Sequence, residues 1–258
     1  MSALITTSDF EALAYAYFTR AHADGVHHAE IFFDPQAHTS RSIPYSTVVA
    51  GLAAAQSRAL KDFSLTSKLI LCFLRHLPAA EAVSTFEEAS VLGHFSDGTV
   101  AGVGLDSSEL PFPPEMFREV FALAKQNGVN RTAHAGEEGD ATYVSGALNH
   151  LSTQRIDHGI RLVEDAALIR KVANEKILVT VCPLSNVRLR CVKHVSELPI
   201  RKFLDEGVRF SINSDDPAYF GGYILDNYCA VQESFGLNLK EWRWIAEGAV
   251  EGSVSCLY

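Results

Sequence analysis

Four short segments of the sequence carry side chains able to bind a cation and move protons: His134-Ala-Gly-Glu137-Glu138-Gly139, Asp157-His158-Gly159, Cys182-Pro-Leu-Ser-Asn186 and Asn213-Ser-Asp215-Asp216-Pro217. Imidazoles and carboxylates are N and O ligands for divalent metals, and those left uncoordinated serve as general acids or bases. The chemistry this set suits best is hydrolysis by a metal-activated water. Taken singly, each segment has a plainer reading. His134 and His158 would satisfy strand-end carbonyls, Glu137-Glu138 would be a solvated acidic pair, Asp215-Asp216-Pro217 a helix-capping turn, and Gly136 and Gly139 would close a turn. The chemical reading is favoured because every segment falls at or just past the end of an expected strand.

Those strands are short apolar runs at 29–33, 68–74, 100–105, 130–133, 155–158, 178–182 and 208–212, most of them flanked by Gly, Pro, Asp or Ser. Between them, apolar residues at spacings of three and four predict helices over 10–23, 44–60, 80–92, 114–127, 144–151, 166–175 and 200–206, with two more over 223–230 and 240–249. Ser8-Asp9 and Pro113-Pro114 supply helix-start chemistry for the first and fourth. Apolar strands alternating with helices imply a parallel sheet, either doubly wound and open or closed into a barrel. Periodicity does not choose between the two. In a barrel, however, all strand carboxyl ends meet at one rim, and residues far apart in sequence converge there.

The remaining histidines carry less. His22, His94, His150 and His194 read as structural, and His27-His28 as solvated or capping. His38 and His76 lie just past strand ends, and Phe32-Phe33 reads as core or as an aromatic wall. The composition, 47% hydrophobic and 21% charged over 258 residues, suits a globular chain, and no linker divides residues 1–258 into two domains. A net charge of −9, with no basic cluster longer than Arg188-Leu-Arg190, disfavours nucleic acid as a partner. No run approaches the ~18 apolar residues of a membrane span. The five cysteines, Cys72, Cys182, Cys191, Cys229 and Cys256, form no CxxC pair and read as reduced thiols of an intracellular protein. Oligomeric state has no signature in the sequence.

In order and approximate spacing, Thr132-Ala-His-Ala-Gly-Glu137, Arg155-Ile-Asp-His-Gly159, Cys182-Pro-Leu-Ser-Asn186 and Asn213-Ser-Asp-Asp-Pro217 resemble successive motifs of the adenosine/adenine deaminase family of metal-dependent hydrolases. The likeness runs from about Tyr15 to Ala249. Phe32-Phe-Asp-Pro-Gln-Ala-His-Thr39, Gly104-Leu-Asp-Ser-Ser-Glu109 and Asp216-Pro-Ala-Tyr-Phe-Gly-Gly222 are similar to the branch that uses adenine rather than its nucleoside. The resemblance implies a TIM-type (β/α)8 barrel and conversion of adenine and water to hypoxanthine and ammonia. It also implies one zinc ion per chain, a small-molecule purine as the partner, and a place in purine salvage in the cytoplasm and nucleus.

By the same resemblance His134 and Asp215 are zinc ligands, His158 orients the attacking water and helps move its proton, and Glu137 protonates purine N1. Asp216 would bond N7, with Ser107 or Ser108 near N3. The cytidine-type zinc deaminases use an H-x-E together with P-C-x-x-C, a combination this sequence lacks, since no P-C-x-x-C occurs in it. The family's opening strand, with two further zinc ligands as His-x-His, has no counterpart, so the expected barrel lacks its first strand and shows seven βα units. Two protein ligands from four should hold zinc poorly, and the chain alone is expected to deaminate little. Deamination of adenosine or of an N6-substituted purine nucleotide is the enzymatic alternative, and a non-catalytic barrel that has lost its metal is the other.

Overall fold

The apolar runs form strands β1 (His28–Phe33), β2 (Thr66–Leu74), β3 (Val100–Asp106), β4 (Asn130–Ala135), β5 (Arg155–His158), β6 (Leu178–Val181) and β7 (Phe210–Ile212). Each pairs in parallel with the next, in the order β1-β2-β3-β4-β5-β6-β7. The computed structural model describes residues 3–254, so the Cys256 thiol lies outside the described residues. Helices Tyr45–Phe63, Ala79–Val91, Arg118–Gln126, Ala141–His150, Ala166–Asn174 and Ile200–Glu206 make the six crossovers. Thr7–Ala23 precedes β1, and Ile224–Phe235 and Leu239–Glu251 follow β7. Among the described residues no helix is long and apolar enough to cross a membrane.

Local chemistry accounts for most boundaries. The first helix begins earlier than Ser8-Asp9 suggested. Thr6 is its cap and Asp9 completes a capping box, the Thr6 amide donating to the Asp9 carboxylate at 2.7 Å. Asp140 and Asp165 cap two later helices. Pro113-Pro114 opens a 3-10 turn, Pro114–Phe117, before the α-helix Arg118–Gln126 takes over. That helix buries Val120, Phe121 and Ala124, and the Phe121 ring meets Phe73 of β2 edge-on at 6.2 Å. Burying one such phenylalanine stabilises by about 2 kcal/mol.

Alternation sends one face of each strand to the helices and the other to a shared interior. Leu69, Leu71 and Phe73 of β2 belong to the helix-side core, whereas Ile70 and Cys72, equally buried, point the other way. A side chain at Gly104 would bring a Cβ to 2.4 Å from the Cys72 sulfur. The sheet is curled, as contacts across this interior require. In a flat sheet β1 and β5 would stand roughly 19 Å apart. Yet Arg155 of β5 donates directly to the Glu30 carboxylate of β1, and the Phe32 ring lies 5.7 Å from His134 of β4. Sequential strand order with such curvature is a (β/α)8-type barrel wall of seven strands, which removes the doubly wound alternative.

Among the described residues β1 pairs only with β2 and β7 only with β6. Other contacts cross that side. Helix Leu239–Glu251 packs on β7, and beyond it Ser253 Oγ and the Val254 amide donate to Glu30 Oε1 at 2.5 and 2.6 Å. At the other end the Leu225 amide donates to Asp24 Oδ2 at 3.3 Å, and Tyr17 stacks on Tyr223.

Glu30 makes acid stability testable. Burial opposes its charge, but the His28 contact, Arg155 and Ser253 outweigh that and hold its carboxyl at about 2, against 4.5 when free. A folded-state pKa below the unfolded one stabilises at pH above about 4.5, and the benefit, about 3 kcal/mol, is lost as pH falls through about 2. Urea unfolding between pH 5 and 2 should therefore show a shallower pH dependence for Glu30→Gln than for the wild type, and equal slopes would contradict this role.

Candidate active site

The carboxyl ends of β4, β5, β6 and β7 each deliver one part of a single cluster. His134 is the penultimate residue of β4, Glu137 lies two residues beyond that strand, and His158 ends β5. Cys182 follows β6 and opens the short helix Pro183–Arg188 that carries Asn186, and Asp215 and Asp216 follow β7. The backbone turns sharply here. His158 and Asp215 both adopt left-handed conformations, with φ of 65° and 56°, strain that clusters at functional sites. Gly136 has φ of 78°, and a Cβ there would strike Val144 at 2.6 Å.

The distances join these residues. His158 Nδ1 stands 3.2 Å from Glu137 Oε1, and its Nε2 4.0 Å from Asp215 Oδ2. The His134 and His158 rings lie 4.6 Å apart at 67°. Asn186 Nδ2 donates to Glu137 Oε1 at 2.7 Å and sits 3.4 Å from His158 Nδ1. Behind His134, Asp157 Oδ2 is 3.7 Å from Nδ1, an ion-pair separation longer than a hydrogen bond. Asp157 also accepts from Thr132 Oγ1 at 2.5 Å and Thr180 Oγ1 at 3.1 Å, and faces Arg155 Nε at 3.3 Å. Arg75, fully buried, donates to the carbonyls of His134 and Phe112 and fixes the end of β4.

Electrostatics divide the roles. Burial pushes the Glu137 carboxyl up against the pull of His158 and His134, so it holds a proton more readily than a free glutamate. Burial likewise disfavours charge on His134, but the Asp157 carboxylate overrides it and raises the imidazole to about 9. Asp157 is itself held well below the usual carboxylate range, because Arg155 and then His134 outweigh its burial. Desolvation and the neighbouring Asp215 charge push Asp216 up to about 6, although it stands exposed at the mouth, where solvent screens part of that push.

Donor type and setting fit a divalent metal. His134 presents an imidazole braced by a buried carboxylate, the arrangement that orients metal-binding histidines. With Nδ1 turned toward Asp157, Nε2 is the nitrogen left for the ion, and the Asp215 carboxylate acts on the same ring. Ligand atoms of His158, Cys182 and Asp215 all lie within 4.8 Å of one another. Asp34, Cys72 and Asp106 are also mutually within 4.8 Å, but burial and the Asp34 charge push the Asp106 carboxyl well up, which favours a shared proton there.

The structure thus joins His134, Glu137, His158, Asp215 and Asp216. Ser107 and Ser108 stand apart. Both are exposed past β3, and the Ser107 hydroxyl pairs with His76 Nδ1 at 3.0 Å rather than with any of the five. Phe32 and Phe33 divide, Phe33 into the helix-side core and Phe32 toward His134. His38 is buried edge-on against Phe10, His94 stacks on Tyr45 and His22 on Phe63, all structural. His28 begins β1 rather than preceding it. Asp157, Asn186 and Arg75 have site roles that the sequence reading did not assign. Arg155-Ile-Asp157 carried a signal for one of them, since alternation along a strand puts residues 155 and 157 on one face beside His134.

A curled parallel sheet with imidazoles, carboxylates and a proton-holding glutamate at its carboxyl rim defines the class of metal-dependent barrel hydrolases. Residues 1–256 match the adenosine deaminase family model, and the chain belongs to that family. It is 60% identical to adenine deaminase of Schizosaccharomyces pombe and 61% identical to that of Aspergillus fumigatus, in each case over 98% of this chain and over 69% and 71% of the relative. The crystal structure of adenine deaminase from Arthrobacter aurescens superposes with a TM-score of 0.93 at 40% identity, over 98% of this chain and 76% of that one. A zinc-bound amidohydrolase from Burkholderia ambifaria superposes at 0.91 with 28% identity, over 98% and 70%.

Proposed function

We infer that the chain is a zinc-dependent adenine deaminase, converting adenine and water to hypoxanthine and ammonia. The observation that carries this is the gathering of His134, Glu137, His158 and Asp215 within a few ångströms, in a chain whose similar relatives are adenine deaminases. His134 and Asp215 would hold the ion. When bound, it supplies Lewis-acid activation of water, bringing deprotonation toward neutral pH.

The chain's own groups do the rest. Asn186 occupies Glu137 Oε1, so a proton on that carboxyl resides on the other oxygen, from which it passes to ring nitrogen N1 as C6 becomes tetrahedral. His158, with one ring nitrogen toward Glu137 and the other toward Asp215, orients the attacking water and takes up its proton. Asp216, which follows Asp215 at the mouth, would hydrogen-bond N7, an acceptor to which its acid form donates. The reading includes purine salvage in the cytoplasm and nucleus, which the free thiols of Cys72, Cys182, Cys191 and Cys229 support.

Turnover is to be measured with zinc in excess, so that metal loading does not limit the rate. The kcat/KM for ammonia release should then be at least about tenfold higher on adenine than on adenosine or an N6-substituted purine nucleotide. A preference for either of the latter would replace adenine as the substrate, and no zinc-dependent release from any purine would leave a non-catalytic barrel.

A further inference from the structure

Between β3 and β4 the ladder stops short of the rim: only Gly102 with Asn130 and Val103 with Arg131 are paired. Past that point no ladder pair joins the two strands, yet the loop after β4 carries Glu137 and must be held. A single carboxylate spans the gap. Glu109, 1% exposed, accepts the backbone N–H of Glu137 on Oε1 at 3.0 Å, and those of Gly136 and Gly139 on Oε2 at 3.1 and 2.8 Å. The contact is reciprocal, because the Glu109 amide donates to Glu138 Oε2 at 3.0 Å. A Cβ at residue 139 would fall 2.6 Å from Glu109 Oε2, so only glycine there admits the carboxylate.

We propose that Glu109 is a positioning residue for the deamination inferred above, its carboxylate clasping the peptide groups on either side of Glu137 and thereby aiming the proton-donating side chain. Converging peptide N–H groups form a concave anion site, here filled by a side chain of the neighbouring loop. The carboxylate is the one side chain of this size that can serve three donors at once. In Glu109→Gln the amide keeps one accepting oxygen, and at least one of the three N–H groups then faces an NH2. The loop around Glu137 loses part of its clasp, although Arg161 still donates to the Gly136 and Glu138 carbonyls and Asn186 still holds the Glu137 tip, so the carboxyl shifts. A misplacement of about 1 Å costs a reacting group roughly 10²-fold.

The test is a double-mutant cycle on zinc-loaded protein with adenine, using wild type, Glu109→Gln, Glu137→Gln and the double variant. Glu109→Gln should lower kcat by about 10- to 100-fold with KM changed far less, and should cost nothing further in the Glu137→Gln background. Multiplicative losses, or an unchanged kcat, would overturn the proposal. Amide hydrogen exchange of residues 136–139 reads the clasp without turnover: Glu109→Gln should exchange there about tenfold faster or more, and equal protection would likewise overturn it. If Glu109→Gln does not fold, Glu138→Ala, which removes the reciprocal acceptor, should show the same pattern at smaller size. Faster exchange in protein that deaminates no purine would refute the enzymatic reading and leave the clasp standing.

Discussion

Glu137→Gln lowers kcat on adenine by about 10²- to 10⁴-fold, the usual contribution of a positioned general acid. The variant keeps shape and volume but has no proton to give. In the wild type, burial raises the carboxyl and Asn186 fixes one oxygen, so the acid keeps its proton more readily than a free glutamate and is aimed. Binding should change little, because the ring contacts assigned to Asp216 remain. The alkaline limb of the wild-type rate profile, where Glu137 gives up its proton, should vanish in the variant. A variant within a few-fold of wild type would remove Glu137 from the chemistry.

Asp157→Asn should damage both stability and metal affinity. The carboxylate is 2% exposed and sits among Arg155, His134, Thr132 and Thr180. Neutralising it leaves the buried Arg155 short of a counter-charge, and breaking one partner of such a pair costs about 3–5 kcal/mol. His134 loses the group that fixes its ring, and outer carboxylates of this kind contribute about 10- to 100-fold to metal affinity. Urea unfolding and zinc titration of the purified variant would measure the two effects separately. Unaltered zinc affinity would mean that Asp157 serves the fold alone.

The seven strands were legible in the sequence because buried parallel strands are continuous apolar runs, and β5 matches its expected limits at both ends. Where ends moved, hydrogen bonding decided: β4 runs on through His134 and Ala135 because both pair with β5, whereas β7 begins at Phe210. The four-residue helices Gln36–Thr39 and Pro217–Phe220 were not legible, being too short to show a helical period. Barrel curvature was beyond periodicity too, since it follows from Glu30 meeting Arg155 across the interior.

Within the site, His134, Glu137, His158, Asp215 and Asp216 were readable because each sits at or just past a strand end and carries an ionisable group. Asn186 was harder to read, since an amide at a helix start is ordinarily unremarkable and gains its role only when the helix points it at Glu137. Glu109 stood in the same quoted segment as Ser107 and Ser108. Its part depends on three backbone N–H groups from another strand's loop, which no side-chain pattern reveals.

The assembly of distant imidazoles and acids around one cation is tested most directly by diffraction at the zinc absorption edge from crystals grown with the metal. An anomalous peak about 2.0–2.2 Å from a His134 ring nitrogen and an Asp215 oxygen is the predicted result. A fully occupied peak elsewhere, or none between those two side chains with zinc in excess, would contradict it.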